Sequence, residues 1–174
     1  LDLSLSTRLP AGVADFCFSS GGALYASLPG LGVVYRVEQT LADEFGKPEL
    51  FIHGLDNPSG LVCGPAQLLV SESSQIKAYP YTGGSGKLLV DQLPDDGGEL
   101  SHRLLQVADG LLFSIGSRCD ACKEKEPLRG TVQMLAGDGQ LRTYGKGLRN
   151  LGGLAINEVD GSIWANERSR IYPA

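Results

Sequence analysis

GLDNPSGLVCGPAQLLVSESSQI, residues 54–76, recurs as GLRNLGGLAINEVDGSIWANERSRI, residues 147–171, with two extra residues in the central turn. The match runs through Glu72-Ser73-Ser74-Gln75-Ile76, which pairs with Glu167-Arg168-Ser169-Arg170-Ile171. A weaker copy, LPAGVADFCFSSGGALYAS, starts at Leu9, and a fourth pass lies in LLQVADGLLFSIGS, from Leu104 to Ser117. Leu24, Leu68, Leu111 and Ile163 are the matching positions. Their spacings of 44, 43 and 52 residues are the size of one blade in a radial repeat protein.

Each pass reads as a short apolar strand, a turn marked by Gly or Asp, a second strand such as ALYAS or QLLVSE, and a third such as VVYRV or IKAY. A fourth strand follows in three of them, as ELFIHG, KLLVDQ and QLRTYG. Val, Leu, Ile, Tyr and Phe suit a pleated, half-buried backbone, and Gly supplies the positive φ of tight hairpins. Four antiparallel strands per repeat predict an all-β chain, a β-propeller of four-stranded blades. The blades fall at approximately 9–53, 54–92, 93–146 and, incompletely, 147–174, within a single domain of 174 residues. One segment near 38–45, containing QTLADEF, reads as a loop with a slight helical turn.

About four blades leave an open flank, which propellers avoid by closing. Three solutions follow: a closing strand from Leu3–Thr7 in a small ring, a homodimer, or a larger, six-bladed propeller whose remainder is not in this chain. The last is the leading expectation.

Composition excludes several classes. The net charge of -5 is spread over scattered acids with no Lys/Arg run, so nucleic acid is not an expected partner. No apolar run reaches the eighteen or so residues of a membrane span, and LDLSLSTRLP lacks a signal-peptide pattern, although a mature exported form would have lost one. No G-x-S-x-G, Walker loop or H-E-x-x-H occurs.

LLFSIGSRCDACKEKEPLRGTV and YGKGLRNLGGLAINEVDGSIWANER, across Leu111–Arg168, together resemble the soluble quinoprotein glucose and sorbosone dehydrogenase family. In that family a strand ending in V-G-S, a C-x-x-C, an acidic turn with an Arg, G-L-R-N and a Trp-bearing strand ending in N-E-R follow one another. The resemblance is looser from Leu9 to Gln92. It implies a six-bladed propeller that oxidises a sugar or polyol with pyrroloquinoline quinone (PQQ) and calcium, in a periplasmic or secreted setting.

Carried over, it makes Arg149 and Asn150 the cofactor-binding pair. A guanidinium fork suits quinone or carboxylate oxygens, and an amide donates and accepts beside it. A capped turn at the blade edge is the alternative for Asn150, since Gly54-Leu55-Asp56-Asn57 occupies the sister position. The family's catalytic histidine falls near Glu99 or Leu100 when counted back from Asp109-Gly110, so His102, about three residues late, is the candidate base. An ordinary exposed histidine is the alternative. After Glu167 the chain reads Arg168-Ser169-Arg170, two cations where relatives hold calcium, so no metal site is predicted and calcium is doubtful.

Glu72 and Glu167 end equivalent strands and are either carboxylates presented to one face or members of ion pairs with Arg149 or Arg168. Cys119 and Cys122 form a lone C-D-A-C in the 116–130 insertion, where propellers place ligand-facing loops; a local disulfide or free thiols are both open. Cys17 and Cys63 sit at the same strand position in neighbouring repeats and read as reduced, buried hydrophobes. Trp164, Tyr25 and Phe113 read as packing between blades. The competing functions are a quinoprotein dehydrogenase-like propeller, incomplete or inactive as this chain; a non-catalytic scaffold or ligand-binding propeller; and a calcium-dependent lactonase type.

Overall fold

The computed structural model describes residues 8–10, 12–41, 44–119 and 122–167. Among these residues the chain is all-β, with no α-helix and one 3-10 turn at Pro29–Leu31. The first sheet starts with β1 (Asp15–Phe18), β2 (Leu24–Leu28) and β3 (Val33–Val37). A small hairpin of β4 (Gln39–Leu41) and β5 (Glu44–Phe45) intervenes before β6 (Glu49–His53) completes the order β1-β2-β3-β6. The second sheet runs through β7 (Gly60–Cys63), β8 (Gln67–Ser71), β9 (Ile76–Pro80) and β10 (Lys87–Val90). The third contains β11 (Leu104–Val107), β12 (Gly110–Ile115), β13 (Thr131–Ala136) and β14 (Leu141–Lys146). A fourth pair, β15 (Leu151–Ile156) with β16 (Ile163–Glu167), repeats the first two strands. Three meandering four-stranded sheets and the start of a fourth are the blades of a β-propeller fold.

The first three blades share a register position. Ser27, Ser71 and Ser114 occupy the same place on β2, β8 and β12, and all three are buried. The Ser71 hydroxyl accepts the Gly60 N–H at 2.8 Å, and that of Ser114 accepts the Arg103 N–H at the same distance. A buried hydroxyl thus takes up an amide where the ladder of the first strand begins, which avoids the cost of an orphaned donor.

Blades two, three and four are each entered through a left-handed residue followed by a buried or half-buried leucine. Gly54 (φ 72°) precedes Leu55, whose N–H donates to the Gly32 carbonyl at 3.0 Å. Gly147 (φ 86°) precedes Leu148, which donates to the Gly130 carbonyl at 3.0 Å. Gln92 (φ 58°) precedes Leu93, which donates to the Ser74 carbonyl at 2.9 Å.

The chain divides into two compact units, one of residues 1–72 and 76–89, the other of 73–75 and 90–174. In the first, Tyr25, Val34, Leu61, Leu68, Val70 and Tyr79 form a buried cluster against which Cys17, Phe51 and Cys63 pack. In the second, Leu112, Val132 and Leu151 are joined by Met134, Leu148 and Ile163. Each fully buried aliphatic or aromatic side chain contributes about 1.5–3 kcal/mol.

Three expectations need correction. QTLADEF holds no helical turn among its described residues: Gln39 pairs with Phe45 and Leu41 with Glu44, and the Thr40 hydroxyl donates to the Glu44 carbonyl at 3.3 Å. β-branched Thr40 and aromatic Phe45 favour the extended form. Cys17 and Cys63 are not free thiols; they form a disulfide, their Cα atoms 5.7 Å apart on β1 and β7. By cross-strand register the two are offset by one place, Cys17 opposite Tyr25 and Cys63 opposite Leu68, and the two first strands bring them within bonding range in the first unit. Tyr25 and Phe113 are buried as expected, but Trp164 is 65% exposed on β16 and its indole N–H donates to the Ser162 hydroxyl at 2.9 Å. The proposed closing strand at Leu3–Thr7 lies outside the described residues.

Candidate functional site

Strand direction brings one set of loops to one end of the second unit. β12 ends where the 116–130 insertion begins, β13 starts where it finishes, and β14 runs back so that Lys146 pairs with Thr131. Residues 147–150 therefore turn at the same end, as do residues 95–103 before β11 and Glu167 at the close of β16.

The Arg149-Asn150 turn is tied down through its backbone. The Arg149 N–H donates to the Glu167 carboxylate, and its carbonyl accepts the Ser117 N–H at 2.6 Å. Both Gly147 and Leu148 donate to the Gly130 carbonyl. Gly130 is left-handed (φ 67°), and a Cβ there would stand 2.6 Å from the Leu148 oxygen. Arg149 is half-buried; Asn150 is 6% exposed, and its side-chain oxygen has no hydrogen-bond partner among the described residues. Glu72 does for Asp56 what Glu167 does for Arg149, accepting its N–H at 2.8 Å, and also pairs with Lys77 at 3.2 Å. The strand-ending glutamates thus brace the turns. Asn57 is left-handed (φ 53°) as a turn residue, whereas Asn150 is not, so the two asparagines differ in role.

His102 is fully buried rather than exposed. Nδ1 lies 2.9 Å from the Ser114 carbonyl and Nε2 2.9 Å from the Ser73 carbonyl. Burial pushes the imidazole below its ordinary value, the two carbonyls act in the opposite direction, and the charge of Arg129 adds to the lowering. In this position neither ring nitrogen is open to a substrate. The fold thus brings Arg149 and Asn150 together and sets His102 beneath the same end with both nitrogens engaged.

Sequence reasoning missed an ionic cluster at this end. Asp96 accepts from Arg129 at 2.6 Å and from Arg118 at 3.0 Å. The hydrogen bond from Arg129 holds the Asp96 carboxyl below its usual range, with the Arg118 and Arg129 charges adding to it against desolvation. Arg129 is buried, and its Nε and Nη1 have no partner among the described residues. The signal was Asp95-Asp96 before two glycines, which reads as a turn until the insertion folds over it. Within the insertion Glu124 accepts from the Ser117 hydroxyl and from the Arg118 N–H at 2.7 Å. Cys119 and Cys122 are joined as a disulfide. Those two cysteines and Glu124 are the one close group of potential metal donors among the described residues, but bonded sulfurs offer no thiolate pair. Arg168–Ile171, where the sequence argued against calcium, lie outside the described residues.

No protein-family model matches the chain, and no curated protein sequence matches it. Solved structures do. The PQQ-bound form of aldose sugar dehydrogenase from Streptomyces coelicolor aligns with a TM-score of 0.66 at 17% identity, over 95% of this chain and 59% of that one. Streptogramin B lyase aligns with a TM-score of 0.63 at 13% identity, over 95% of this chain and 50% of that one. The chain therefore spans between half and three-fifths of these proteins. At such identities the likeness concerns architecture, and it joins the sheet topology in showing that this chain has the β-propeller fold, with structural neighbours that include a PQQ-bound aldose sugar dehydrogenase.

Proposed function

We propose that the chain is part of a quinoprotein-type propeller acting on a sugar or polyol, with the Arg149-Asn150 turn contributing to a PQQ-binding rim in a periplasmic or secreted protein. One observation carries the reading: in a turn braced through the Arg149 backbone, the buried side-chain oxygen of the next residue, Asn150, has no hydrogen-bond partner among the described residues. A buried unpartnered acceptor costs about 1–3 kcal/mol, so it marks a place where a further group is accommodated. The donor set fits: Arg149 matches quinone or carboxylate oxygens, and Asn150 accepts from an N–H or O–H. PQQ, when bound, supplies the two-electron acceptor for alcohol oxidation. The chain's own part is to orient and to neutralise negative charge through Arg149, with Glu167 and Ser117 holding its backbone.

A second reading, a binding propeller without catalysis, is favoured by His102, whose two nitrogens both face carbonyls. A base needs a lone pair within reach of the proton it takes.

Titrating the chain with PQQ and calcium while following thermal unfolding and cofactor absorbance separates the two. Saturable binding that Arg149→Ala weakens at least tenfold supports the rim. Dye reduction with a panel of aldoses and polyols then marks the catalytic reading, and binding without reduction the second. A chain that leaves PQQ unbound, or whose affinity ignores Arg149→Ala, removes the quinone rim and leaves the non-catalytic reading.

A further inference from the structure

We propose that Cys119–Cys122 is a redox-active disulfide that exchanges with an external dithiol. Three features of the 116–130 insertion point there. First, access: Cys122 is exposed and Cys119 half-buried, at the edge of a cleft of about 660 Å³ lined also by Asp96, Arg118, Lys123, Lys125 and Arg129. Second, the Cys122 N–H is directed at the Cys119 sulfur, 3.0 Å away, so a thiolate at Cys119 meets a ready hydrogen-bond donor. Third, charge: Arg118, Lys123, Lys125 and Arg129 outnumber Asp96, Glu124 and Glu126 around the cleft by one. Cationic surroundings and backbone N–H groups lower a thiol pKa without a helix N-terminus.

Glu124 works against this, since its carboxylate oxygen lies within 4.8 Å of both sulfurs. Its charge is already met by the Ser117 hydroxyl and the Arg118 N–H, which blunts the repulsion.

The asymmetry sets the order of events. An incoming thiolate attacks the exposed Cys122 sulfur, the Cys119–Cys122 bond breaks, and Cys119 leaves as the stabilised thiolate. The donor's second thiolate then attacks its own sulfur in the mixed disulfide and releases Cys122. Two electrons pass from the donor, which becomes a disulfide, to the cysteine pair, and the thiolates take up protons according to pH. Cys17–Cys63 serves as an internal reference, because it is packed against the cluster of Tyr25, Leu61 and Leu68.

The test uses the unaltered chain in graded glutathione redox buffers and, separately, with a protein dithiol of the C-x-x-C type, followed by alkylation and mass mapping. Cys119–Cys122 is expected to open at least tenfold more readily than Cys17–Cys63 with the protein dithiol, and a bond that opens faster with glutathione, a monothiol, overturns the dithiol as its partner. In Cys122→Ser the remaining Cys119 is expected to titrate, by thiolate absorbance, at least one unit below the ordinary value of about 8.5. A Cys119–Cys122 bond that survives conditions opening Cys17–Cys63 overturns the proposal, and so does a Cys119 that titrates at or above the ordinary value.

Discussion

His102 meets two carbonyl oxygens with a ring that, when neutral, carries a single N–H. Protonation would serve both carbonyls, but burial and the Arg129 charge hold the folded-state pKa below the ordinary 6.5. An unfolded chain takes up a proton near pH 6.5 that the folded one refuses. Stability from this residue is therefore complete above that pH, falls as pH drops below it, and levels off once the folded pKa is passed. Denaturant unfolding of the chain and of His102→Gln from pH 8 to 5 should show the acid-side slope in the first and a flatter profile in the second. His102→Ala, which leaves two carbonyls and a small void, should cost about 2–4 kcal/mol at pH 7.5. The residue was visible in the sequence, yet its surroundings were not. Ser73 lies 29 positions away, and no local pattern says that its carbonyl ends at an imidazole.

Blade entry shows which elements could be read and why. G-L-D-N and G-L-R-N announce themselves because glycine occupies the left-handed position in both. At Asp91-Gln92-Leu93 the same geometry is filled by Gln92, so the third entry is silent in sequence although its leucine makes the same bond. The disulfide between Cys17 and Cys63 was only partly legible: both fall on first strands, but Cys63 stands one register place later than Cys17, and the 5.7 Å approach of the two strands depends on how blades pack. The glycines themselves are not equal. Gly130→Ala forces both a left-handed alanine and a Cβ 2.6 Å from the Leu148 oxygen, and should cost about 2–4 kcal/mol. Gly147→Ala meets nothing within 4 Å and bears only the backbone penalty, about 1–2 kcal/mol. Chemical denaturation of the two variants checks the order, and equal losses would show that the close approach to Leu148 carries no weight.

At the scale of the whole molecule, the four cysteines divide evenly between the two compact units, but the loops they close are unequal. Cys17–Cys63 closes a long loop, 46 residues apart, wholly inside the first unit, whereas Cys119–Cys122 closes a three-residue separation inside the second. A cross-link stabilises chiefly by restricting the unfolded chain, and the restriction grows with the logarithm of loop length. For the long loop the chain-entropy estimate is about 4 kcal/mol. Removing it through Cys17→Ser with Cys63→Ser should therefore weaken the first unit far more than opening the short ring weakens the second. Hydrogen exchange distinguishes the two cases: amides of β2, β3, β7 and β8 should lose protection in the double variant, while those of β12 and β13 keep theirs. Equal losses in both sets would mean that the units unfold as one cooperative body, with the disulfide stabilising all the blades together. The contrast also separates the parts played by the two bonds: Cys17–Cys63 ties two first strands inside one core, and Cys119–Cys122 sits in a loop whose opening leaves the strands of its own blade paired.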